Sequence, residues 1–218
     1  MERITIKSYR ARGTRITSAQ EVAREELWPK YGIEFGTPIN PATIFHNAKE
    51  IIAEIGYGMG EATAHIAENS PERGFLAMEV HKPGIGKLIT LLEAKRLSNV
   101  KLIDGDAHEA LMDMIGDHSL DGVHLFFPDP WPKKRHHKRR IVNADFLNLI
   151  HQKLKSGGFI HIATDWHPYS EWIAEVFAAS NSFTGGVVDR PEWRPRTRFE
   201  SKGISKDHQV TDFRYFAN

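Results

Sequence analysis

The chain has 218 residues, 40% of them apolar and 26% charged, which suits one large globular domain. It has no cysteine, which excludes disulfides and thiolate metal sites and fits a reducing, cytoplasmic setting. No window approaches about 18 consecutive apolar residues, so no transmembrane helix is expected, and the start, MERITIKSYRARGTR, has no apolar segment of the kind a secretory signal needs.

The formal net charge of +1 is unevenly placed: Lys133, Lys134, Arg135, Lys138, Arg139 and Arg140 carry +6, leaving the rest of the chain at −5. The first fifteen residues add Arg3, Lys7, Arg10, Arg12 and Arg15 against the single acid Glu2. Two local cationic patches on a mildly acidic chain are the footprint of a polyanion partner.

In chain order, residues 1–16 read as a basic arm. The stretch TSAQEVAREELWPKYG reads as a helix, with Ser18 and Glu21 at capping-box spacing, Val22 and Trp28 available to a core, and Pro29 and Gly32 ending it. A loop with Gly36, Pro38 and Pro41 follows. From residue 51 apolar strands alternate with helices: strands at IIAEIG, GFLAMEVH, NVKLIDGDA, LDGVHLFFPDPW and FIHIATDW, and helices between them at EATAHIAENSP, PGIGKLITLLEAKRLS, HEALMDMIG and NADFLNLIHQKLKSGG, the last capped by Asn143 and stopped at Gly157. YSEWIAEVFAAS adds a helix after the fifth strand. The tail from 183 is rich in Arg, Pro, Gly and aromatics and ends in VTDFRYF, an antiparallel strand. The pattern is that of an α/β protein with a mostly parallel sheet and helices on both faces.

In such sheets ligands sit at the carboxyl ends of the strands. The first strand carries Glu54 and then Gly56, Gly58 and Gly60, and the second ends in Glu79, at the spacing where an acid accepts hydrogen bonds from ribose hydroxyls. The third exits through Asp106, the fourth through Asp129, the fifth through Asp165. The cofactor is then a dinucleotide or S-adenosylmethionine. The G-x-G-x-G spacing departs from the dinucleotide fingerprint, and Glu54 would repel a pyrophosphate but suits a ligand with ammonium and sulfonium groups. A glycine turn alone also reads as an ordinary strand–helix connection; the acids at successive strand ends separate the two.

The densest chemistry lies in FFPDPWPKKRHHKRR, residues 126–140. Pro128 and Pro130 stiffen the chain around Asp129. An ionised carboxylate only accepts hydrogen bonds, and guanine presents two adjacent donors, N1–H and the 2-amino group. Trp131 offers an aromatic face for base stacking, worth ~1–3 kcal/mol in single-strand recognition. The cations of the run, Lys133, Lys134, Arg135, Lys138, Arg139 and Arg140, supply phosphate contacts. The acid holds and polarises a base; the cations hold the backbone attached to it.

EIGYGMG, AMEVHKPGIG, DGDAHEAL, LFFPDPWPKKRHHKRRIV, ATDWHPYSEW and RTRFESKG, in that order, resemble the bacterial tRNA (guanine(46)-N7)-methyltransferases, and SYRARGTRITSAQEVAREELWPKYGI resembles that family's N-terminal region. The resemblance implies a seven-stranded, Rossmann-like class I fold dependent on S-adenosylmethionine, a methyltransferase domain over 41–218 preceded by an arm and helix over 1–40, and one domain overall. It implies methyl transfer to N7 of a variable-loop guanosine of tRNA by a cytoplasmic monomer or homodimer. Carried over residue by residue, it places cofactor contacts at Glu54, Glu79, Asp106 and Asp129, the catalytic acid at Asp129, and substrate contacts at Lys133, Asp165, Thr197, Arg198, Phe199 and Glu200. RNA contacts fall on Lys134, Arg135, His136, His137, Lys138, Arg139 and Arg140. Pro132 stands where many members carry His, and Arg198 where the pattern often carries Lys.

Three other functions fit parts of this pattern. One is a methyltransferase for another RNA or a small molecule, and another is a nicotinamide-dependent dehydrogenase, which Glu54 and the glycine spacing disfavour. The third is a non-catalytic RNA binder, which has no use for Glu54, Glu79 and Asp106. No metal is expected: the twelve histidines form no H-E-x-x-H or three-ligand cluster, and His81, His108, His124 and His161 read as local polar or core residues, Trp166, Trp172 and Trp193 as packing.

Overall fold

The computed structural model describes residues 7–9, 16–197, 200 and 209–218. The chain enters through helix α1 (Ser18–Tyr31), a two-residue strand β1 (Gly32–Ile33) and a short helix α2 (Pro41–Ile44). Regular alternation follows: β2 (Glu50–Ile55), α3 (Glu61–Glu68), β3 (Arg73–Glu79), α4 (Lys82–Ala94), β4 (Val100–Asp104), α5 (Ala107–Asp113) and β5 (Leu120–Phe126). After a 3₁₀ helix over Lys134–Arg139 come α6 (Ala144–Lys153), β6 (Leu154–Thr164), α7 (His167–Ala178), β7 (Phe183–Val188) and β8 (Thr211–Ala217).

Among the described residues the strands form one eight-stranded sheet in the order β1-β4-β3-β2-β5-β6-β8-β7. The first six are parallel; β8 runs antiparallel to both β6 and β7. Seven strands are those the resemblance implies, and β1 adds an eighth beside β4. The order reverses between β2 and β5, so their carboxyl ends diverge and open a crevice there.

Alternation along each strand divides the core in two. Ile51, Ala53 and Ile55 join Val123, Leu125, Ile160 and Ile162 beneath Leu111, Phe146, Ile150 and Ile173 of α5, α6 and α7. Ile52, Phe75, Ala77 and Leu102 face the other way, beneath Ile66, Ile85, Leu88 and Ile89 of α3 and α4 and Tyr31 of α1. Strands buried on both faces read as continuous apolar runs, which is why β2–β6 are legible in sequence.

Local expectations fare unevenly. The capping box of α1 lies one residue earlier than the Ser18–Glu21 spacing suggests. Thr17 accepts from the Gln20 amide at 3.3 Å and Gln20 Oε1 accepts from the Thr17 amide at 3.1 Å. Pro29 lies inside α1, which ends at Tyr31, and Val22 is exposed rather than core. Asn143 does cap α6, accepting from the Phe146 amide at 3.0 Å. Gly157 does not stop that helix: α6 ends at Lys153, and Gly157 (φ 75°) lies at the irregular start of β6, where the register against β5 shifts. The final strand VTDFRYF is β8, and its neighbour β7 was not read because Gly185 and Gly186 interrupt it.

Candidate functional site

At the reversal of the sheet lies a cavity of about 800 Å³. Its wall contains Glu54, Gly56, Gly58, Gly60, Glu79, Asp106 and Asp129, so one space gathers every residue expected to hold a cofactor, and it also takes in Thr197. A smaller space of about 310 Å³ adjoins it through Gly105 and Asp106, bounded by Lys7, Tyr9 and Phe35.

Each acid is placed by a different device. Glu54 points toward the α3 side of β2 and is 3% exposed. Its Oε1 accepts from the Thr63 hydroxyl at 3.1 Å, while its Oε2 is buried with no partner among the described residues. Burial raises its pKa to about 7, against the lowering effect of the Thr63 hydroxyl and with help from the nearby Glu79 charge. Glu79 bonds three backbone amides: Oε2 accepts from Gly58 N–H at 2.7 Å, and Oε1 from Val80 and His81 N–H at 2.7 and 3.0 Å. It therefore ties the glycine turn to the end of β3. Asp106 caps α5, accepting from His108 N–H at 2.8 Å.

The glycines divide by role. Gly56 and Gly58 adopt left-handed φ of 73° and 60°, and a Cβ at either would meet nothing within 4 Å, so the turn bounds open space rather than packed chain. Gly60 is packed instead, since a Cβ there would lie 2.6 Å from Leu88. Gly84, unmarked by any sequence signal, lets α4 lie against this turn: a Cβ there would fall 1.8 Å from the Gly58 carbonyl oxygen.

Asp129 sits on the loop leaving β5, between two residues with left-handed backbone, Phe127 (φ 52°) and Trp131 (φ 45°). Such conformations cost of the order of 1–3 kcal/mol each and persist only where surroundings impose them. Phe127 N–H bonds the Ala163 carbonyl at 2.8 Å, Arg140 Nε–H bonds the Pro130 carbonyl at 3.0 Å, and Trp131 Nε1–H bonds the Ser8 carbonyl at 2.8 Å. The acid is thus held on a loop braced before and after it.

Three sequence expectations change here. Trp131 is 3% exposed, with Arg139 over its ring at 4.8 Å and His136 edge-on at 5.6 Å, so it is a packed anchor and not a stacking platform for a base. Arg140 is also 3% exposed; its guanidinium lies 5.1 Å from the Tyr169 and Trp172 rings, so it is turned inward and braces the loop rather than lying on the cationic surface. Glu200 is 2% exposed and both its oxygens accept from Arg194, so its carboxylate is engaged inside the fold rather than presented on the cavity surface.

The remaining cations keep their accessibility. Lys133, Lys134, Arg135 and Lys138 are exposed, and His136, His137 and Arg139 are half-buried along the 3₁₀ helix. Asp165 is half-buried at the exit of β6, and neither it nor Lys133 lies in the cavity wall. Arg198, Phe199 and nearly all of the N-terminal arm lie outside the described residues. His161 bonds Asp212 at 2.8 Å, and His124 stacks against both Trp193 and Phe126, as core residues do. Thr63, Arg194 and Tyr57, whose buried hydroxyl in the cavity wall has no partner among the described residues, were missed. Among the described residues no group of three His, Asp or Glu side chains is arranged to hold a metal, and no helix is long and apolar enough to cross a membrane.

With that geometry in place the relatives are informative. A family model described as "Putative methyltransferase" matches residues 48–213. The tRNA (guanine-N(7)-)-methyltransferase of Nitrosococcus oceani is 47% identical over 96% of this chain and 90% of its own, and that of Streptomyces avermitilis 44% identical over 95% and 73%. Among solved structures, the 16S rRNA methyltransferase KamB superposes with a TM-score of 0.59 over 81% of this chain and 91% of its own, at 13% identity. TrmN from Thermus thermophilus does so with a TM-score of 0.56 over 78% and 45%, at 16% identity; both likenesses speak to the fold. By match length and identity, the chain belongs to the tRNA (guanine-N(7)-)-methyltransferase family.

Proposed function

We propose that the protein transfers a methyl group from S-adenosylmethionine to N7 of a guanine in tRNA, the variable-loop guanosine at position 46, and that it does so in the cytoplasm. The observation that carries this reading is the convergence of Glu54, Glu79, Asp106 and the braced Asp129 loop on one cavity at the sheet's reversal, with exposed cations directly after the loop. The cavity suits the donor on two counts. The turn at Gly56 and Gly58 leaves room for a ligand against backbone, and Glu54 offers a buried, unpartnered carboxylate oxygen that a cationic ligand would satisfy. Glu79 and Asp106 each retain acceptor capacity beyond their backbone bonds for ligand hydroxyl and amine donors.

When bound, S-adenosylmethionine supplies an electrophilic methyl carbon on a sulfonium. Guanine N7 carries an in-plane lone pair and no proton, so no residue of the chain has to act as a base at that atom. The task of Asp129 is orientation and charge: its carboxylate accepts from the purine's N1–H and 2-amino group and stabilises the positive charge that grows on the ring. Holding two reactants in register can account for ~7–11 kcal/mol of a barrier, and the braced loop serves that end. Lys133, Lys134, Arg135 and Lys138 bind the phosphates flanking the base, and Asp165 and Thr197 bound the substrate's approach.

The test is transfer of labelled methyl to transcribed tRNA, with aniline-sensitive cleavage to map the modified atom. Label at N7 of the variable-loop guanosine, lost when that base is replaced by adenosine, is expected. Label elsewhere in the tRNA, or none with active donor, contradicts the reading.

A further inference from the structure

Arg190 and Arg196 are exposed, as an arginine in a polar tail ordinarily is, yet Arg194 between them is wholly buried. Its guanidinium makes four hydrogen bonds to two carboxylates. Nε and Nη2 grip the two oxygens of Asp212 on β8, each at 2.8 Å. Nη1 and Nη2 reach Glu200 at 2.9 and 3.4 Å. Asp212 also meets His161 Nε2 on β6 at 2.8 Å. The rings of Phe126 and Phe127, the first two residues of the segment that carries Asp129, lie 5.9 and 5.7 Å from the guanidinium carbon. Burial alone would raise the Asp212 carboxyl, but the bonds from His161 and Arg194 outweigh it and hold it below the ordinary range, so Asp212 stays an anion for Arg194.

Glu200 passes the grip on. Its Oε2 accepts from Thr197 N–H at 3.4 Å, and Thr197 Oγ1 accepts from Glu200 N–H at 3.0 Å, the reciprocal pair of a capping box. Pro195, Arg196 and Thr197 are the part of this segment that faces the cavity. The T-x-x-E pattern therefore has a division of labour: Thr197 faces the site and Glu200 holds it there. Stability gives little reason to keep such a cluster, because well-packed apolar residues commonly serve as well or better. A planar fork serving two carboxylates instead fixes geometry, which a lysine cannot reproduce.

We infer that Arg194 is a positioning residue: one guanidinium, clamped between Asp212 and Glu200 and packed under Phe126 and Phe127, sets the 195–197 wall of the cavity and the entry to the Asp129 loop relative to one another. The kinetic part of this inference rests on the methyl-transfer reading above; the structural part does not. The experiment compares wild type, Arg194→Lys and Glu200→Gln in three measurements: amide deuterium exchange, S-adenosylmethionine affinity, and kcat and KM for tRNA. In Arg194→Lys the amides of 196 and 197 are expected to exchange faster while β5 and β6 keep their protection. Donor affinity should change little, and kcat/KM for tRNA should fall by about 10²-fold, as a displacement near 1 Å commonly produces. Glu200→Gln, which leaves the Arg194–Asp212 pair in place, should show the same pattern more weakly, and it carries the test if Arg194→Lys does not fold. Unchanged exchange at 196–197 with wild-type turnover overturns the inference. So does a loss of protection across the whole sheet with donor affinity and turnover falling together, the mark of a residue that only stabilises. Wild type that methylates nothing sinks the functional reading instead, and the exchange comparison still decides whether the clamp exists.

Discussion

Two buried groups of acids can be set side by side. Asp212 and Glu200 share Arg194 and keep their oxygens bonded, to His161 and Thr197 as well. Among the described residues Glu54 has one hydroxyl partner, no cation and an oxygen with nothing to accept from, and its pKa is lifted to about 7. Burial is nearly the same in both, at 2–3% exposure. The first group is closed and builds a wall; the second is left open, and the open side lines the cavity. An acid buried without its counter-charge is stabilised only by what arrives later, so incomplete satisfaction, more than burial or charge, marks the residue that waits for a ligand.

The sharpest way to break this contrast is at Asp129, which lines the same cavity as Glu54. Asp129→Asn keeps the size and removes the charge. With saturating donor, kcat/KM for tRNA should drop by roughly 10²–10³-fold, the usual cost of losing one electrostatic contact to a developing charge. Retention of wild-type kcat/KM would remove Asp129 from the chemistry.

Glu54→Gln comes next and should act in two directions at once. Loss of a charge-assisted contact should weaken S-adenosylmethionine binding by about 10–100-fold. The free protein should become more stable at pH 8. The folded-state pKa lies above the unfolded value of 4.5, so the wild-type carboxyl is neutral in both states below pH 4.5. As pH rises toward about 7 the folded form resists ionisation and stability falls, a penalty of order 3 kcal/mol when complete. Thermal midpoints of variant and wild type should therefore converge near pH 4 and separate above pH 7. Equal midpoints throughout would mean that Glu54 is not strained when the site is free.

A third comparison separates the buried from the exposed members of one basic run. Arg140→Met should lower stability by about 1–3 kcal/mol, because the Pro130 carbonyl loses its charged donor. Lys134→Ala should leave the thermal midpoint alone and reduce the salt slope of tRNA binding by about 0.7–0.9. If both variants change the slope alike, Arg140 reaches the RNA after all. The smallest effect belongs to Val22→Ala on the exposed face of α1, within about 0.5 kcal/mol of wild type.

These cases also show what a linear reading can and cannot see. The sheet was legible because its strands are buried on both faces and its turns carry glycine and acid. That Glu54, Glu79, Asp106 and Asp129 share one cavity wall was legible because strand ends in such sheets converge on a crevice. The burial of Arg140 was not legible because sequence records charge and not which way a side chain turns; it looks like its five cationic neighbours, yet it alone of the six packs over Tyr169 and Trp172 and bonds the Pro130 carbonyl. Trp131 was misread for the same reason. Arg194 was invisible: its partners Asp212 and Glu200 lie 18 and 6 residues away, one on an antiparallel strand, and nothing local marks an arginine that folding will bury. Thr63 escaped because its bond to Glu54 runs from a helix to the strand before it.

The central claim is that Glu54, buried and under-bonded, seats a cationic methyl donor. Calorimetric titration of the wild-type protein with S-adenosylmethionine, near pH 6 in two buffers of different ionisation enthalpy, tests it most directly. The account predicts a net release of protons on binding and an affinity that rises with pH until about 7 and then levels. Binding with no proton release and no pH dependence across that range, or no binding at all, would contradict it.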